Sequence, residues 1–495
     1  MPIMDEPTSL DPQIADSNSE KLVAANCYEG LVRIMADGTI GKGVATDWNI
    51  SDDGLTYTFK LRNNSHWAMF SGHKAVLGEN YEDTFDITVK AEDFKFGIER
   101  TLSEQTGSAD APLFSAVKSI STPDDFTIVF NLSYADDNFL YALTNPGAMP
   151  CDEEFFNLTN GKYGLDAKYL LCNGPFHVSK WTEKTSVKLA KNNEYNGESS
   201  VSPSSVTFYI NNDDSEVADK MNSVTYDVAF LSSSQFSSIE NKKDLNSVAV
   251  QNVTYSFIFN QNDNNYRNKN MRLAFCRSCD TSSLFDSQSD ISKADGIVPP
   301  SCKIGGEDYR NGNAAELLSY DETIAKKNFN DALLELGSSS VETTILCTEQ
   351  YESFVKQMVQ KLQKTLGVKF VSTVKVVSES DLEAAVNDGN YSVAFYPFKA
   401  KSSFAGEIIE GFDQNNIFGY ESDVLSQKIR NIKNNSGSLE GERSAVADAE
   451  NYLVSEAVIM PVFYENSYFV TSKKTSGIYF YSSADNVCFI NAKKS

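Results

Sequence analysis

The stretch Ser51-Asp52-Asp53-Gly54-Leu55-Thr56-Tyr57-Thr58-Phe59-Lys60-Leu61-Arg62 decides how the whole chain is read. Its first four residues are short and polar or lack a side chain, which suits a tight reversal. From Leu55 onward the residues alternate strictly: Leu55, Tyr57, Phe59 and Leu61 fall on one face, and Thr56, Thr58, Lys60 and Arg62 on the other. Successive strand side chains point to opposite faces, so the pattern predicts a half-buried β-strand leaving a turn. Downstream, Ala91, Phe94, Ile98 and Leu102 recur at helical spacing, with Glu92 and Asp93 in the first turn, where carboxylates complement the helix dipole. Periodicity yields turn, strand, loop and helix, and no function.

Residue identities go further. Taken with Trp67, Ala91-Glu92-Asp93-Phe94 and Arg100, the stretch resembles the extracellular solute-binding proteins of peptide and nickel ABC transporters. That family typically writes S-x-D-G-x-x-Y-x-F-x-L-R, a Trp, then T-A-x-D-F and an Arg. One departure is plain: the family passes from Trp to T-A-x-D through a short D-G-x-P, whereas residues 68–88 intervene here and include Ser71-Gly72, an enlarged loop.

The match extends in both directions. Glu6-Pro7-Thr8-Ser9-Leu10-Asp11-Pro12 corresponds to P-x-x-L-D-P, held extended by its prolines. A short helix over residues 20–27 runs into Tyr28-Glu29-Gly30-Leu31, matching Y-E-G-L; Ala36-Asp37-Gly38 is a turn, and Val44-Ala45-Thr46-Asp47-Trp48 matches G-L-A-x-x-W. Phe126 to Leu132 alternates as a strand, and Asn173-Gly174-Pro175-Phe176 resembles G-T-G-P-F with Cys172 at the first glycine. Trp181, Val187-Lys188-Leu189, Asn193, Tyr195, the β run at 206–210 and Asp227 keep the family's order. Tyr255-Ser256-Phe257-Ile258-Phe259-Asn260 resembles a crossing strand, and Asn270-Met271-Arg272-Leu273-Ala274 stands for V-R-x-A on a helix over 271–284.

Between 280 and 460 the likeness is weakest. Ser, Asp and Lys dominate 280–313; helices are expected at 322–336, 352–366 and 445–457, strands near Ile345 and over 368–377, and a loop at 434–438. This is an α/β pattern. Met460-Pro461-Val462 corresponds to I-P-L.

Composition bounds the rest. At 495 residues the chain is too long for one ordinary core, and 41% hydrophobic with 12% aromatic content supports folding. A net charge of −25 argues against nucleic acid as a partner. No apolar run approaches the roughly 20 residues that span a bilayer; the nearest, 457–464, is fenced by Glu456 and Glu465. Eight cysteines are too sparse for a small disulfide framework, and any pairing does not follow from sequence.

Few residues suggest chemistry. The only histidines are His66, His73 and His177; two share the enlarged loop, but without the tightly spaced His, Cys or carboxylate partners of a metal site they are expected to be solvated loop residues. Cys276-Arg277-Ser278-Cys279 has C-x-x-C spacing, yet lies on a helix where the family packs apolar residues, so two buried thiols are expected. Three Ser-x-x-Lys spacings, at Ser71, Ser115 and Ser353, lack a following Lys-Thr-Gly and are rejected as acyl-enzyme motifs, and no phosphate-binding G-x-x-x-x-G-K is present. Scarce histidine also argues against a hydrolase.

The resemblance implies an α/β, two-lobed periplasmic-binding-protein-like fold of type II with an extra domain. Residues 1–45, 169–262 and 465–495 would form a discontinuous domain I, 46–168 domain II, and 263–464 domain III, the ligand-closing lobe. It implies a non-enzymatic, monomeric protein that captures a solute, an oligopeptide in the first instance, by hinge closure and delivers it to an ABC permease. The alternatives are a non-peptide ligand such as an oligosaccharide, or a sensor role. No cofactor or metal is expected. An extracytoplasmic home follows, with a leader removed from this chain and a lipoprotein anchor or periplasmic residence. Expected ligand-binding residues are Tyr28, Glu29, Gly30, Leu231, Ser232, Tyr255, Phe257, Phe395, Tyr396 and Phe398. The segment from Asn390 to Lys399 lacks the aspartate with which oligopeptide binders pair a ligand's ammonium, so either the ligand is neutral or anionic there or another acid substitutes, with Glu29, Glu407, Glu410 and Asp413 as the candidates.

Overall fold

A computed structural model describes the whole chain except residues 36–38, 198–199, 282–283, 286–289, 400–403, 414–415 and 482–485. The expected turn at Ala36-Asp37-Gly38 lies outside the described residues. The chain divides into two compact units, Met1–Ala249 with Tyr468–Ser495, and Val250–Ser467.

In the first unit the alternating stretch forms the strand Thr56–Leu61. It pairs antiparallel with Ala45–Ile50 on one side and Thr127–Leu132 on the other. Tyr57 lies opposite Phe130 and Phe59 opposite Ile128. The expected apolar face is buried, with Phe59 fully enclosed and its ring 5.8 Å from that of Phe130. Gly54 turns the chain with φ +69°, a left-handed conformation that costs glycine little. The helix Ala91–Leu102 covers this core through Ala91, Phe94 and Ile98.

Several of the segments that carried the resemblance bind one another. Asp11 receives Arg100 Nη2 at 2.6 Å and Nη1 at 3.2 Å. Glu29 is paired with Arg62 and accepts from Tyr195 Oη at 3.0 Å. Asn173 holds the Glu29 backbone from both sides, accepting from its N–H at 3.0 Å and donating to its carbonyl at 2.8 Å. Gly174 donates to Cys27 O at 2.9 Å, and any Cβ there would stand 2.6 Å from Cys27 C, which is why glycine follows Asn173. These motifs are packing and ion-pair devices inside one unit.

The enlarged loop is not a solvated excursion. It carries the short helices Ser71–His73, Lys74–Leu77 and Tyr81–Thr84, and His66 bridges Thr88 across its base. His73, expected in solvent, is fully buried, with Nε2 3.1 Å from Leu170 O and its ring 4.2 Å from that of Phe70. The aromatic residues of the loop make it a small extension of the core.

The second unit is built on one sheet. Tyr255, Phe257 and Phe259 of the long strand Leu245–Phe259 lie opposite Pro397, Phe395 and Val393 of the antiparallel strand Val393–Lys399. Val341–Thr348 runs parallel to that strand, and Phe370–Val377 lies parallel beyond it. Alternation sends Phe257, Phe259, Val393 and Phe395 into a core with the helices Lys269–Arg277, Glu322–Leu336 and Glu352–Leu366. Ile258, Ala394 and Phe398 face a second core with Asp423–Asn434 and Leu439–Ser455. Helices cover both faces of this mixed sheet, in which Val341–Thr348 runs parallel to both its neighbours and Val393–Lys399 antiparallel to the long strand, an α/β arrangement.

Two expected helices shift. The one read over 271–284 is Lys269–Arg277, and Ser278 ends it, its hydroxyl bonding back to Ala274 O at 2.5 Å. The one read from Ala445 begins at Leu439, where Ser438 Oγ caps Gly441 N at 3.2 Å.

Candidate functional site

Five aromatic side chains meet on one face of the second unit's sheet. The Tyr255 ring lies 4.4 Å from Tyr351, 5.2 Å from Phe463 and 5.4 Å from Phe395. Phe354 stands 5.2 Å from Phe463 and 5.9 Å from Phe395. Separate elements supply them: Tyr255 and Phe395 come from two paired strands, Tyr351 and Phe354 from the turn and first turn opening Glu352–Leu366, and Phe463 from Ile459–Ser472. Phe354, Phe395 and Phe463 are buried, whereas Tyr255 stays half-buried.

A carboxylate borders this cluster. Glu465, two residues beyond Phe463, accepts from Tyr351 Oη and from Gln350 Nε2 at 3.2 Å, both on Oε1. Burial pushes its carboxyl above the ordinary range, the two hydrogen bonds oppose that, and the charges of Glu379 and Asp290 add to it. Burial likewise raises the Tyr255 and Tyr351 hydroxyls, with Glu465 contributing to both. No lysine, arginine or histidine among the described residues pairs with Glu465, and Oε2 receives no hydrogen bond from them. The result is a half-buried, uncompensated carboxylate beside the half-buried Tyr255 ring.

One edge of the strand Val393–Lys399 is also open in part. Val341–Thr348 pairs with it only at Val393 and Ala394, so Phe395 to Phe398 have a strand partner on one side alone among the described residues. Pro397, which has no N–H to donate, sits in that half-paired segment.

The sequence-derived residues divide. Tyr255, Phe257 and Phe395 come together, with Phe257 4.9 Å from Phe395, and Tyr396 packs 5.6 Å from Phe398. Phe257 and Phe395 are core side chains, 0% and 1% exposed, so only Tyr255 and Tyr396 of this set present side-chain surface of any size. The other five belong to the first unit. Tyr28 is buried with its hydroxyl 3.2 Å from that of Tyr163. Glu29 is buried and already paired with Arg62. Gly30 lies against the carbonyl of Val32. Leu231 is core, and Ser232 caps the helix Ser233–Ser238, accepting from Gln235 N at 3.2 Å. Asp413 accepts from Ser426 Oγ at 2.7 Å.

Sequence reasoning did not single out Tyr351, Gln350 or Phe463, nor the Glu465 carboxylate they surround. The charged break after the apolar run that ends at Tyr464 was the one available signal.

Metal and thiol chemistry finds little support. Among the described residues no three His, Cys, Asp or Glu side chains gather as a metal site would need. Cys276 and Cys279 are buried, and Cys279 lies past the end of its helix with Sγ 3.2 Å from Met358 Sδ. Both border a cavity of about 190 Å³ with Met460, Val462 and Tyr320.

The comparisons with known proteins agree with this architecture. The profile of the family described as bacterial extracellular solute-binding proteins, family 5 Middle, matches residues 39–418. The dipeptide-binding protein DppE of Bacillus subtilis is 24% identical over 496 residues, spanning 96% of this chain and 88% of its own. Among solved structures, OppA of Listeria monocytogenes bound to peptide superposes with a TM-score of 0.77 at 21% identity, covering 100% of this chain and 98% of that one. A dipeptide-binding protein of Pseudoalteromonas sp. SM9913 in complex with Met-Leu gives 0.78 at 17% identity, covering 100% and 99%. With the profile matching well over half its length and the fold shared end to end, the chain belongs to the bacterial extracellular solute-binding proteins of family 5, a binding rather than a catalytic family.

Proposed function

We propose that this protein captures a peptide between its two units and hands it to the membrane permease of an ABC transporter. The observation that carries the reading is the half-open strand from Phe395 to Phe398, bordered by Tyr255 and Tyr396, within a chain that matches peptide-binding relatives over nearly its full length. An extended peptide laid along such an edge gains main-chain hydrogen bonds whatever its sequence, while flanking pockets sort its side chains. Enclosure by hinge closure would then remove the ligand from water and strengthen those bonds. The split at Ala249 and Ser467 places both chain crossings within a few residues of Tyr255 and Glu465. In this reading residues 1–45, 169–262 and 465–495 act as domain I, 46–168 as domain II and 263–464 as domain III.

The protein would act as a monomer outside the cytoplasm, tethered by a lipid anchor. No helix among the described residues is long and apolar enough to cross a membrane. A non-peptide solute is the second reading, favoured by the absence of a carboxylate between Asn390 and Lys399.

The test combines capture with scattering. The protein is incubated with a random library of short synthetic peptides, separated from unbound peptide, and analysed by mass spectrometry and small-angle X-ray scattering. Retained peptides together with a smaller radius of gyration at unchanged mass are expected. Retention of no peptide, or scattering curves identical with and without a tightly held one, overturns the proposal.

A further inference from the structure

Resting on the peptide reading, we propose that Glu465 is the counter-ion for the ligand's positively charged amino group, seated against the Tyr255 ring. Four observations point the same way. Glu465 is half-buried, so its charge is poorly solvated. Its Oε1 is fixed by Tyr351 Oη and Gln350 Nε2, which aims the carboxylate, while Oε2 takes no hydrogen bond from the described residues. No cation of the chain among those residues pairs with it, although Arg62, Arg100 and Arg310 each take an acid elsewhere. The half-buried Tyr255 ring adjoins it, 4.4 Å from the buried Tyr351 ring.

A carboxylate left without a cation in a desolvated place is costly, and a ligand that brings the cation recovers that cost on binding. An ammonium also suits the electron-rich faces of tyrosine rings. The other charged or titratable groups bearing on Glu465 are Glu379, Asp290, Tyr351 and, through Tyr351, Tyr255. Both further carboxylates are negative, so the local field favours a cation and opposes an anionic ligand group. Of the alternatives raised by the sequence, Glu29 is held by Arg62 and Tyr195, and Asp413 by Ser426.

The experiment uses a random library of synthetic tri- to pentapeptides lacking lysine, made once with free and once with N-acetylated amino termini. Wild type, Glu465→Gln and Tyr351→Phe are each loaded with an equimolar mixture of the two forms, and retained peptides are counted by mass spectrometry. Wild type is expected to favour free amino termini by at least about tenfold, the equivalent of about 1.4 kcal/mol. Glu465→Gln should bring the ratio near one, and Tyr351→Phe, which removes one of the two hydrogen bonds on Oε1 without removing charge, should reduce it partway. Should Glu465→Gln fail to fold by circular dichroism, Tyr351→Phe decides. Equal retention of both forms by wild type, or a preference unchanged in the folded variants, overturns the inference and leaves peptide binding standing. Retention of neither form by wild type removes the peptide reading itself.

Discussion

Replacing Asp11 by asparagine removes one charge from a buried pair while keeping its shape, and the consequence follows from the geometry. Asp11 is 3% exposed and takes both terminal nitrogens of Arg100, at 2.6 and 3.2 Å, while also capping Gln13 N at 3.1 Å. Removing one partner of a buried ion pair typically costs about 3–5 kcal/mol, because the other charge stays desolvated. Arg100 retains Gln13 Oε1 at 2.6 Å and the Phe156 ring at 4.1 Å, so the lower end applies, about 3 kcal/mol. At roughly 2–4 °C per kcal/mol for a body of this size, the melting transition of the first unit should fall by roughly 6–12 °C. Calorimetry and urea unfolding of wild type, Asp11→Asn, Arg100→Met and the double variant complete a cycle whose coupling should exceed about 1.5 kcal/mol. A loss below about 1 kcal/mol with no coupling would show that the pair behaves like an exposed one, and the motif's structural explanation would fail.

Two further outcomes are expected. Burial pushes the His73 imidazole down to about 4, against a bond to Leu170 O that favours the proton. The unfolded chain then binds the proton first, so the stability His73 contributes is complete above about 6.5 and declines as pH falls from there towards 4, by about 3 kcal/mol at most. His73→Gln should flatten that part of the pH–stability curve, and an identical slope in both proteins would refute the assignment. The Cys276 and Cys279 thiols are both pushed up to about 12 by burial, so at neutral pH they should label far more slowly in the folded protein than in denaturant. Elemental analysis should find no bound zinc, whereas stoichiometric zinc that disappears in Cys279→Ser would show a metal site.

Local pattern made much of the fold legible. Thr56–Leu61 and Ala91–Leu102 follow the alternation and the helical spacing closely, and Glu322–Leu336 and Glu352–Leu366 match residue for residue. In each case the hydrophobic period belongs to a single segment facing a single core, which a short window of sequence can display. The long strand Leu245–Phe259 was visible only from Tyr255 on, because in its first half Asn246, Ser247, Val248 and Ala249 are all exposed, with no buried face to alternate. His73 escaped for the opposite reason: nothing local announces that Phe70, Phe155 and Leu170 will close around it.

By itself, the sequence determined the family, the α/β class and the residues that cap, turn and pair the main elements, since these depend on chemistry within a few positions. The tertiary structure decided what those residues are for. Asp11 and Glu29, which the motifs mark out equally well for a ligand or for a scaffold, are committed to Arg100 and Arg62. Glu465, which no motif marks, is left with an oxygen free beside Tyr255 and Tyr351. Whether a carboxylate is matched depends on which side chains from distant parts of the chain arrive within a few ångströms of it, and only folding brings them there.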